Sequence, residues 1–235
     1  MSFLRSCLFF VGFILITIVF GLVAPLTLLL PFKIRYFVMT RWAFLSILWL
    51  KVTCKLDYKV TGLDNIPNEA VMIVSNHQST FETIVFQIIF PPFTWIMKRE
   101  LLWLPFFGWG AMAFKPIQIN RSKGVQALKY VFKQGIQRFN SGLSVLVFPE
   151  GTRVKVNEKK PYRTGGIALA KKAKVMILPV AHNAGLFWAK GQFIKKSGVV
   201  SIHIGQPIPT NTSDNVNELT EKAETWIKST VKRLY

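Results

Sequence analysis

Residues 70–82 read Ala70-Val-Met-Ile-Val-Ser-Asn-His-Gln-Ser-Thr-Phe-Glu82. The stretch opens with a short apolar run that ends in polar residues, a profile typical of a buried strand. Residues 144–148 and 174–178 repeat this profile, and residues 199–204 alternate apolar and polar side chains, which predicts a half-exposed strand. The chain therefore contains at least four predicted strands.

Helical periodicity separates these strands. Apolar residues recur at helical spacing over residues 125–139, and again on one face over residues 216–231, where we expect Ser213 or Asp214 to cap the helix. Strands that alternate with helices predict an α/β fold, with a mixed, largely parallel sheet flanked by helices. This pattern begins after Lys55, so we place an α/β domain at residues 56–235 and a separate segment at residues 1–55.

The N-terminal segment is predicted to be helical and to anchor the protein in a membrane. Residues 7–30 are 24 residues without a charge, and as a helix at about 1.5 Å per residue they reach roughly 36 Å, enough to cross a hydrocarbon core of about 30 Å. A second apolar stretch, residues 42–50, is too short to span alone. Pro25 and Pro31 leave open a re-entrant or interfacial hairpin instead of a full span.

The charge of the chain indicates a partner of opposite sign. The sequence has 30 Lys and Arg against 11 Asp and Glu, a formal net charge of +19, which suits either nucleic acid or an anionic membrane surface. The apolar segment favours the membrane and makes nucleic acid a poor fit. Basic residues between Lys33 and Lys55 predict that the domain lies on the cytoplasmic face, of the inner membrane if the protein is bacterial.

The two cysteines, Cys7 and Cys54, lie far apart and outside any Cys/His cluster. We therefore expect neither a disulfide framework nor a metal site.

A histidine and a carboxylate follow the first predicted strand. A histidine at the end of a strand, five residues before a glutamate, can act as a general base whose tautomer the carboxylate fixes. On a single helix His77 and Glu82 would point about 140° apart, so their pairing requires His77 to lie in a turn before a helix that begins near Ser79. The same residues fit a capping box, in which Glu82 binds the backbone instead. Both interpretations stay open.

Residues 148–153, Phe-Pro-Glu-Gly-Thr-Arg, follow another predicted strand. Gly151 allows a tight turn, and Arg153 can offer a planar fork of N–H donors to a phosphate. Taken alone, the segment is better explained as an ordinary strand-to-loop turn with a solvated arginine.

Residues 98–110 begin with Lys98 and Arg99 and continue as a densely apolar stretch. The two cations could assist in binding a phosphate. Because Pro105 and two glycines interrupt any regular helix, we expect an exposed, lipid-facing loop here.

Together and in this order, these segments resemble the 1-acylglycerol-3-phosphate acyltransferase family, the PlsC-like glycerolipid acyltransferases. The resemblance covers roughly residues 60–210, and its four blocks correspond to residues 76–82, 98–110, 148–153 and 175–180. Two positions depart from the family pattern. Glu82 stands where the family usually has Asp, and Asn120, in Ile119-Asn-Arg121, also replaces a usual Asp.

The resemblance implies a membrane-bound acyltransferase. It would move a fatty acyl chain from acyl-CoA or acyl carrier protein, with no other cofactor, to the hydroxyl of 1-acylglycerol-3-phosphate (lysophosphatidic acid), making phosphatidic acid in phospholipid synthesis. His77 would be the base and Glu82 its orienting acid, and the substrate-binding residues would be Lys98, Arg99, Glu150, Gly151, Thr152 and Arg153. Two alternatives remain: another lysophospholipid or glycerol-3-phosphate as acceptor, or a non-catalytic basic membrane-binding protein.

Overall fold

The computed structural model describes residues 1–120, 124–158 and 160–235. Two long helices open the chain, α1 (Ser2–Thr27) and α2 (Phe32–Cys54). The strands that follow are β1 (Leu56–Thr61), β2 (Met72–Ser75), β3 (Phe93–Lys98), β4 (Ile117–Ile119), β5 (Ser144–Val147), β6 (Ile177–His182) and β7 (Gly198–Ile204). The helices among and after them are α3 (Phe81–Ile89), α4 (Phe107–Met112), α5 (Gly124–Asn140), α6 (Gly165–Ala173) and α7 (Val216–Arg233).

The seven strands form one sheet in the order β1-β7-β6-β2-β5-β3-β4. Every neighbouring pair is parallel except β6 and β7, which are antiparallel. The predicted mixed, largely parallel sheet is thus confirmed. All four residues of β2 are buried because helices cover both faces of the sheet, whereas β7 alternates in burial.

Alternate residues of the central strands enter two cores. Ile73 of β2 joins the core that contains Phe81 of α3 and Leu50 of α2. Its neighbours Met72 and Val74 join the opposite core, which α5, α6 and α7 complete. The candidate catalytic edge is the edge of the sheet where the parallel strands β2 and β5 both end.

Helices α1 and α2 are each long and apolar enough to cross a membrane. Along α1, Leu8, Val11 and Leu15 are more than half exposed, and such a continuous exposed apolar face fits membrane association. The other side of the helix pair is part of the protein core, since Phe9 and Leu50 are fully buried against the sheet.

Three expectations from the sequence were wrong in detail. The second apolar stretch is part of a 23-residue helix that begins directly after Pro31. The basic side chains of this helix fall among apolar ones, so the helix continues beyond the uncharged run at both ends. The predicted irregular loop contains the short helix α4, whose Gly108 packs so close to Leu102 that a Cβ would collide with its carbonyl. The last helix is capped by Asn215, whose side chain accepts two backbone N–H groups while Glu218 completes a capping box.

Candidate active site

The catalytic edge is built from the segments that follow β2 and β5. Because these strands are parallel neighbours, with Val74 opposite Val147, their carboxyl ends place His77 and Glu150 side by side. The backbone N–H of His77 donates to Glu150 Oε1 at 3.1 Å, and the His77 carbonyl accepts from the Val154 N–H at 2.8 Å. Two segments that are 73 positions apart in the chain thus form one site.

His77 and Glu82 form a direct pair. His77 Nδ1 lies 2.8 Å from Glu82 Oε1, and the Glu82 side chain is fully buried. His77 occupies the turn before α3, which begins at Phe81, as the pairing requires. The ring of Phe148 stacks on the imidazole, with centroids 4.0 Å apart and planes 12° apart. Packing and the carboxylate therefore hold the ring in one orientation.

The same oxygen of Glu82 also organises the turn. Glu82 Oε1 accepts the backbone N–H groups of Gln78, at 3.0 Å, and Ser79, at 2.8 Å. Orienting the histidine and capping the helix, which the sequence presents as alternatives, are carried out together. Glutamate reaches both sets of donors from the first turn of α3.

The electrostatic environment keeps Glu82 ionised. Burial by itself raises the pKa of this carboxyl, but His182, the His77 hydrogen bond and the Ser79 N–H outweigh burial and hold the pKa below its ordinary value. A carboxylate at this position can stabilise a positive charge on the imidazole of His77.

His182 is a functional candidate that the sequence reasoning missed. It ends β6, is fully buried, and places Nε2 4.0 Å from Glu82 Oε2. Its Nδ1 accepts the Ala184 N–H, so Nε2 carries the proton and donates to the Asn76 carbonyl at 2.8 Å. Burial lowers the pKa of His182, although the neighbouring Glu82 carboxylate opposes this shift. A histidine that directly ends an apolar strand was the available signal.

The side-chain amide of Asn76 also binds the backbone of His182. Asn76 Nδ2 donates to the His182 carbonyl at 3.0 Å, and the His182 N–H donates to Asn76 Oδ1 at 3.1 Å. This pairing of the ends of β2 and β6 fixes the residue that precedes His77. His182 therefore contacts the residue that directly precedes His77.

Glu150 points into the protein. Its side chain is 3% exposed, Oε1 accepts the His77 N–H, and burial raises its pKa to about 7. This placement favours a role in positioning His77 over direct contact with a substrate. The next residue, Gly151, adopts φ +71°, a left-handed conformation that favours glycine, and its N–H closes a turn on the Phe148 carbonyl at 2.9 Å.

The remaining residues predicted to bind substrate lie at different distances from the pair. Arg153 Nη1 donates to Thr80 Oγ1 at 2.8 Å, which places its guanidinium at the start of α3 beside the turn that carries His77. Thr152 lies half-buried in the same loop. Lys98, the last residue of β3, and Arg99, the next residue, are exposed. Strand β3 is two strands away from β2, or roughly 10 Å at the spacing of neighbouring strands. Arg121 lies outside the described residues.

A model of the Acyltransferase family matches residues 57–183, a span that contains His77, Glu82, Glu150 and Arg153. The chain belongs to the acyltransferase family. A 1-acyl-sn-glycerol-3-phosphate acyltransferase of Pseudomonas aeruginosa is 40% identical over 215 residues, covering 90% of this acyltransferase and 82% of the relative. One from Saccharomyces cerevisiae is 31% identical over 192 residues, covering 79% of this chain and 63% of the relative.

The fold of this acyltransferase is also found in a solved structure. The crystal structure of the 1-acyl-sn-glycerophosphate acyltransferase PlsC from Thermotoga maritima matches with a TM-score of 0.83 at 22% sequence identity. The match covers 98% of this chain and 95% of that one, so it includes both N-terminal helices as well as the sheet.

Proposed function

We propose that this acyltransferase moves a fatty acyl chain from an acyl thioester to the free hydroxyl of 1-acylglycerol-3-phosphate, forming phosphatidic acid. The observation that carries the proposal is the 2.8 Å contact between His77 Nδ1 and Glu82, which leaves Nε2 without a hydrogen-bond partner among the described residues. The name of the Pseudomonas relative supports the choice of acceptor.

The reaction needs one base and no covalent intermediate. His77 Nε2 removes the proton of the acceptor hydroxyl while the hydroxyl oxygen attacks the carbonyl carbon of the thioester. The carbon–sulfur bond of the thioester then breaks. The departing thiolate takes the proton from His77, so the products are the new ester and a free thiol. A positioned base of this kind contributes about 10² to 10⁴ in rate, and Glu82 stabilises the intermediate imidazolium.

Arg153 is the proposed phosphate ligand of the acceptor. Its hydrogen bond to Thr80 orients the guanidinium beside the turn that carries His77, and a planar fork matches the oxygens of a phosphate monoester. The exposed side chains of Lys98 and Arg99 would assist in binding the acceptor phosphate. The thioester donor is acyl-CoA or acyl carrier protein.

We further propose that α1 and α2 hold the protein at an anionic membrane surface, with the sheet domain on the cytoplasmic face. The exposed apolar side chains of α1 support the attachment, and the basic residues between Lys33 and Lys55 support the orientation.

The test is an acyl-transfer assay on the purified full-length protein in detergent. Lysophosphatidic acid, other lysophospholipids and glycerol-3-phosphate are offered in turn, each with acyl-CoA and with acyl carrier protein as donor. We expect the highest kcat/KM with lysophosphatidic acid. His77→Ala should lower kcat by about 10² or more, whereas the control His203→Ala, a histidine bonded to Thr61 away from the site, should retain activity. Faster transfer to another acceptor, or near-normal turnover by His77→Ala, would contradict the proposal.

A further inference from the structure

A second concentration of positive charge lies at the opposite edge of the sheet. Arg35, in the first turn of α2, has its guanidinium carbon 5.4 Å from the centre of the Phe32 ring. Lys115, just before β4, has its Nζ 4.7 Å from the centre of the same ring. Arg138, near the end of α5, donates from Nε to the Lys115 carbonyl at 3.1 Å. We call Arg35, Lys115 and Arg138 the Phe32 cluster.

Within residues 1–120, 124–158 and 160–235, no carboxylate pairs with the Phe32 cluster. None of the ion pairs in the described part of the chain includes any of its three cations. Glu69 lines a neighbouring groove together with Phe32 and Lys33 but makes no ion pair with the cluster. Burial, followed by the repulsion of Arg35 and Arg138, lowers the pKa of Lys115.

Arg35 is the least solvent-exposed residue of the Phe32 cluster. Its side chain is 8% exposed, and its buried Nε has no hydrogen-bond partner among the described residues. A buried donor that stays unpaired costs about 1–3 kcal/mol, more for a charged group. Three like charges, one of which has a buried Nε without a partner among the described residues, are a poor arrangement for an empty protein and a good one for binding an anion.

The surroundings of the Phe32 cluster indicate the source of that anion. Phe32 directly follows the turn between α1 and α2, where Leu28 and Leu29 are exposed. Three cations at the end of an exposed apolar helix pair would meet the headgroup layer of a bilayer. The Thr94 hydroxyl at the start of β3 bonds to the Lys115 carbonyl, so the six residues of β3 separate the cluster from the catalytic edge by roughly 20 Å.

We propose that the Phe32 cluster binds the phosphate group of an anionic phospholipid, at a site distinct from the acyl-transfer site. The lipid supplies the missing counter-charge and hydrogen-bond acceptors. Binding there attaches the N-terminal edge of the sheet to the headgroup layer while the apolar faces of the helices contact the acyl chains.

The experiment measures the melting temperature of the full-length protein in neutral detergent with short-chain phosphatidylglycerol, short-chain phosphatidylcholine or inorganic phosphate. Phosphatidylglycerol is chosen because it lacks the terminal phosphate monoester that Arg153 is proposed to bind. At a ligand concentration roughly a hundredfold above Kd, we expect phosphatidylglycerol to raise Tm by about 5–10 °C, and the other two to raise it little.

Two variants locate the effect. Arg35→Met keeps the apolar part of the side chain and should lose the Tm increase, while its ligand-free Tm stays equal to or above that of the wild type because a buried repulsion is gone. Lys115→Glu, at an exposed position, should also lose the increase. The control Lys129→Met removes one exposed charge from α5, nine residues before Arg138, and should keep it.

The outcomes separate the alternatives. An equal Tm increase with inorganic phosphate would overturn the lipid as ligand. An increase that survives in both Arg35→Met and Lys115→Glu, or that phosphatidylcholine produces equally, would overturn the site. Acyl transfer is measured in parallel on detergent-dispersed substrate, and all three variants should keep wild-type kcat.

Discussion

Replacing Glu150 with glutamine should change how the stability of this acyltransferase depends on pH. Glu150 is 3% exposed and its Oε1 accepts the His77 N–H at 3.1 Å, while Oε2 has no partner among the described residues. Burial raises the folded-state pKa from 4.5 to about 7. Glutamine keeps an oxygen that can accept the His77 N–H but carries no charge at any pH.

The sign of the pH dependence follows from the number of protons that the folded and unfolded states bind. Between pH 4.5 and about 7 the folded protein holds a proton on Glu150 that the unfolded chain has released, so the free energy of unfolding falls as pH rises. Below pH 4.5 the carboxyl is protonated in both states and there is no penalty. Above pH 7 the penalty is complete, at about 3 kcal/mol for a shift of roughly 2.5 units.

The assay compares Tm of the wild type and Glu150→Gln at pH 4.5 and pH 8. For a chain of this size, 1 kcal/mol changes Tm by roughly 2–4 °C. The Tm of Glu150→Gln minus the Tm of the wild type should therefore be about 6–12 °C larger at pH 8 than at pH 4.5. Glu221→Gln changes an exposed glutamate on α7 in the same way and should show no such growth. A Tm difference between wild type and Glu150→Gln that is equal at both pH values would refute the reasoning.

Three further substitutions test the site. Glu82→Gln keeps an acceptor for the turn but cannot balance an imidazolium, so we expect kcat in the order Glu, Asp, Gln with similar Tm; a Gln variant with half of wild-type kcat would contradict the orienting role. Arg153→Lys replaces a fork with a point charge and should raise the acceptor KM more than it lowers kcat; an altered donor KM alone would count against it. His182→Leu should lower kcat at nearly constant acceptor KM, because the Asn76 carbonyl loses its hydrogen-bond donor. His182→Gln has an amide that can still donate and should recover much of that kcat. An equal loss of kcat in both variants would show that His182 contributes only to core packing.

Local patterns predicted the elements that bury apolar side chains on a regular period. The strands at Met72–Ser75 and Ser144–Val147 lie within a residue or two of the predicted runs, because a strand covered on both faces is apolar throughout. The helices at Gly124–Asn140 and Val216–Arg233 follow the predicted helical spacing. Strand β3 (Phe93–Lys98) was not predicted, since its aromatic residues and the prolines before it match no clear period.

The candidate site also has a part that the sequence predicted and a part that it did not. The sequence of this protein predicted which side chains form the candidate site, since His77, Glu82 and Arg153 each follow a recognisable strand. The arrangement of these side chains became visible in the tertiary structure. Whether Glu82 orients the histidine or caps the helix depends on which N–H groups one buried oxygen reaches, and a single turn lets it reach both.

The sequence did not predict contacts between residues that lie far apart in the chain. Asn76 and His182 are 106 positions apart and meet because β2 and β6 are neighbours in the sheet. Arg35, Lys115 and Arg138 lie on three elements and meet only when α2 packs beside the loop before β4. Periodicity reports which face of an element is buried, whereas the partner across that face is set by strand order and helix packing, which depend on the whole chain at once.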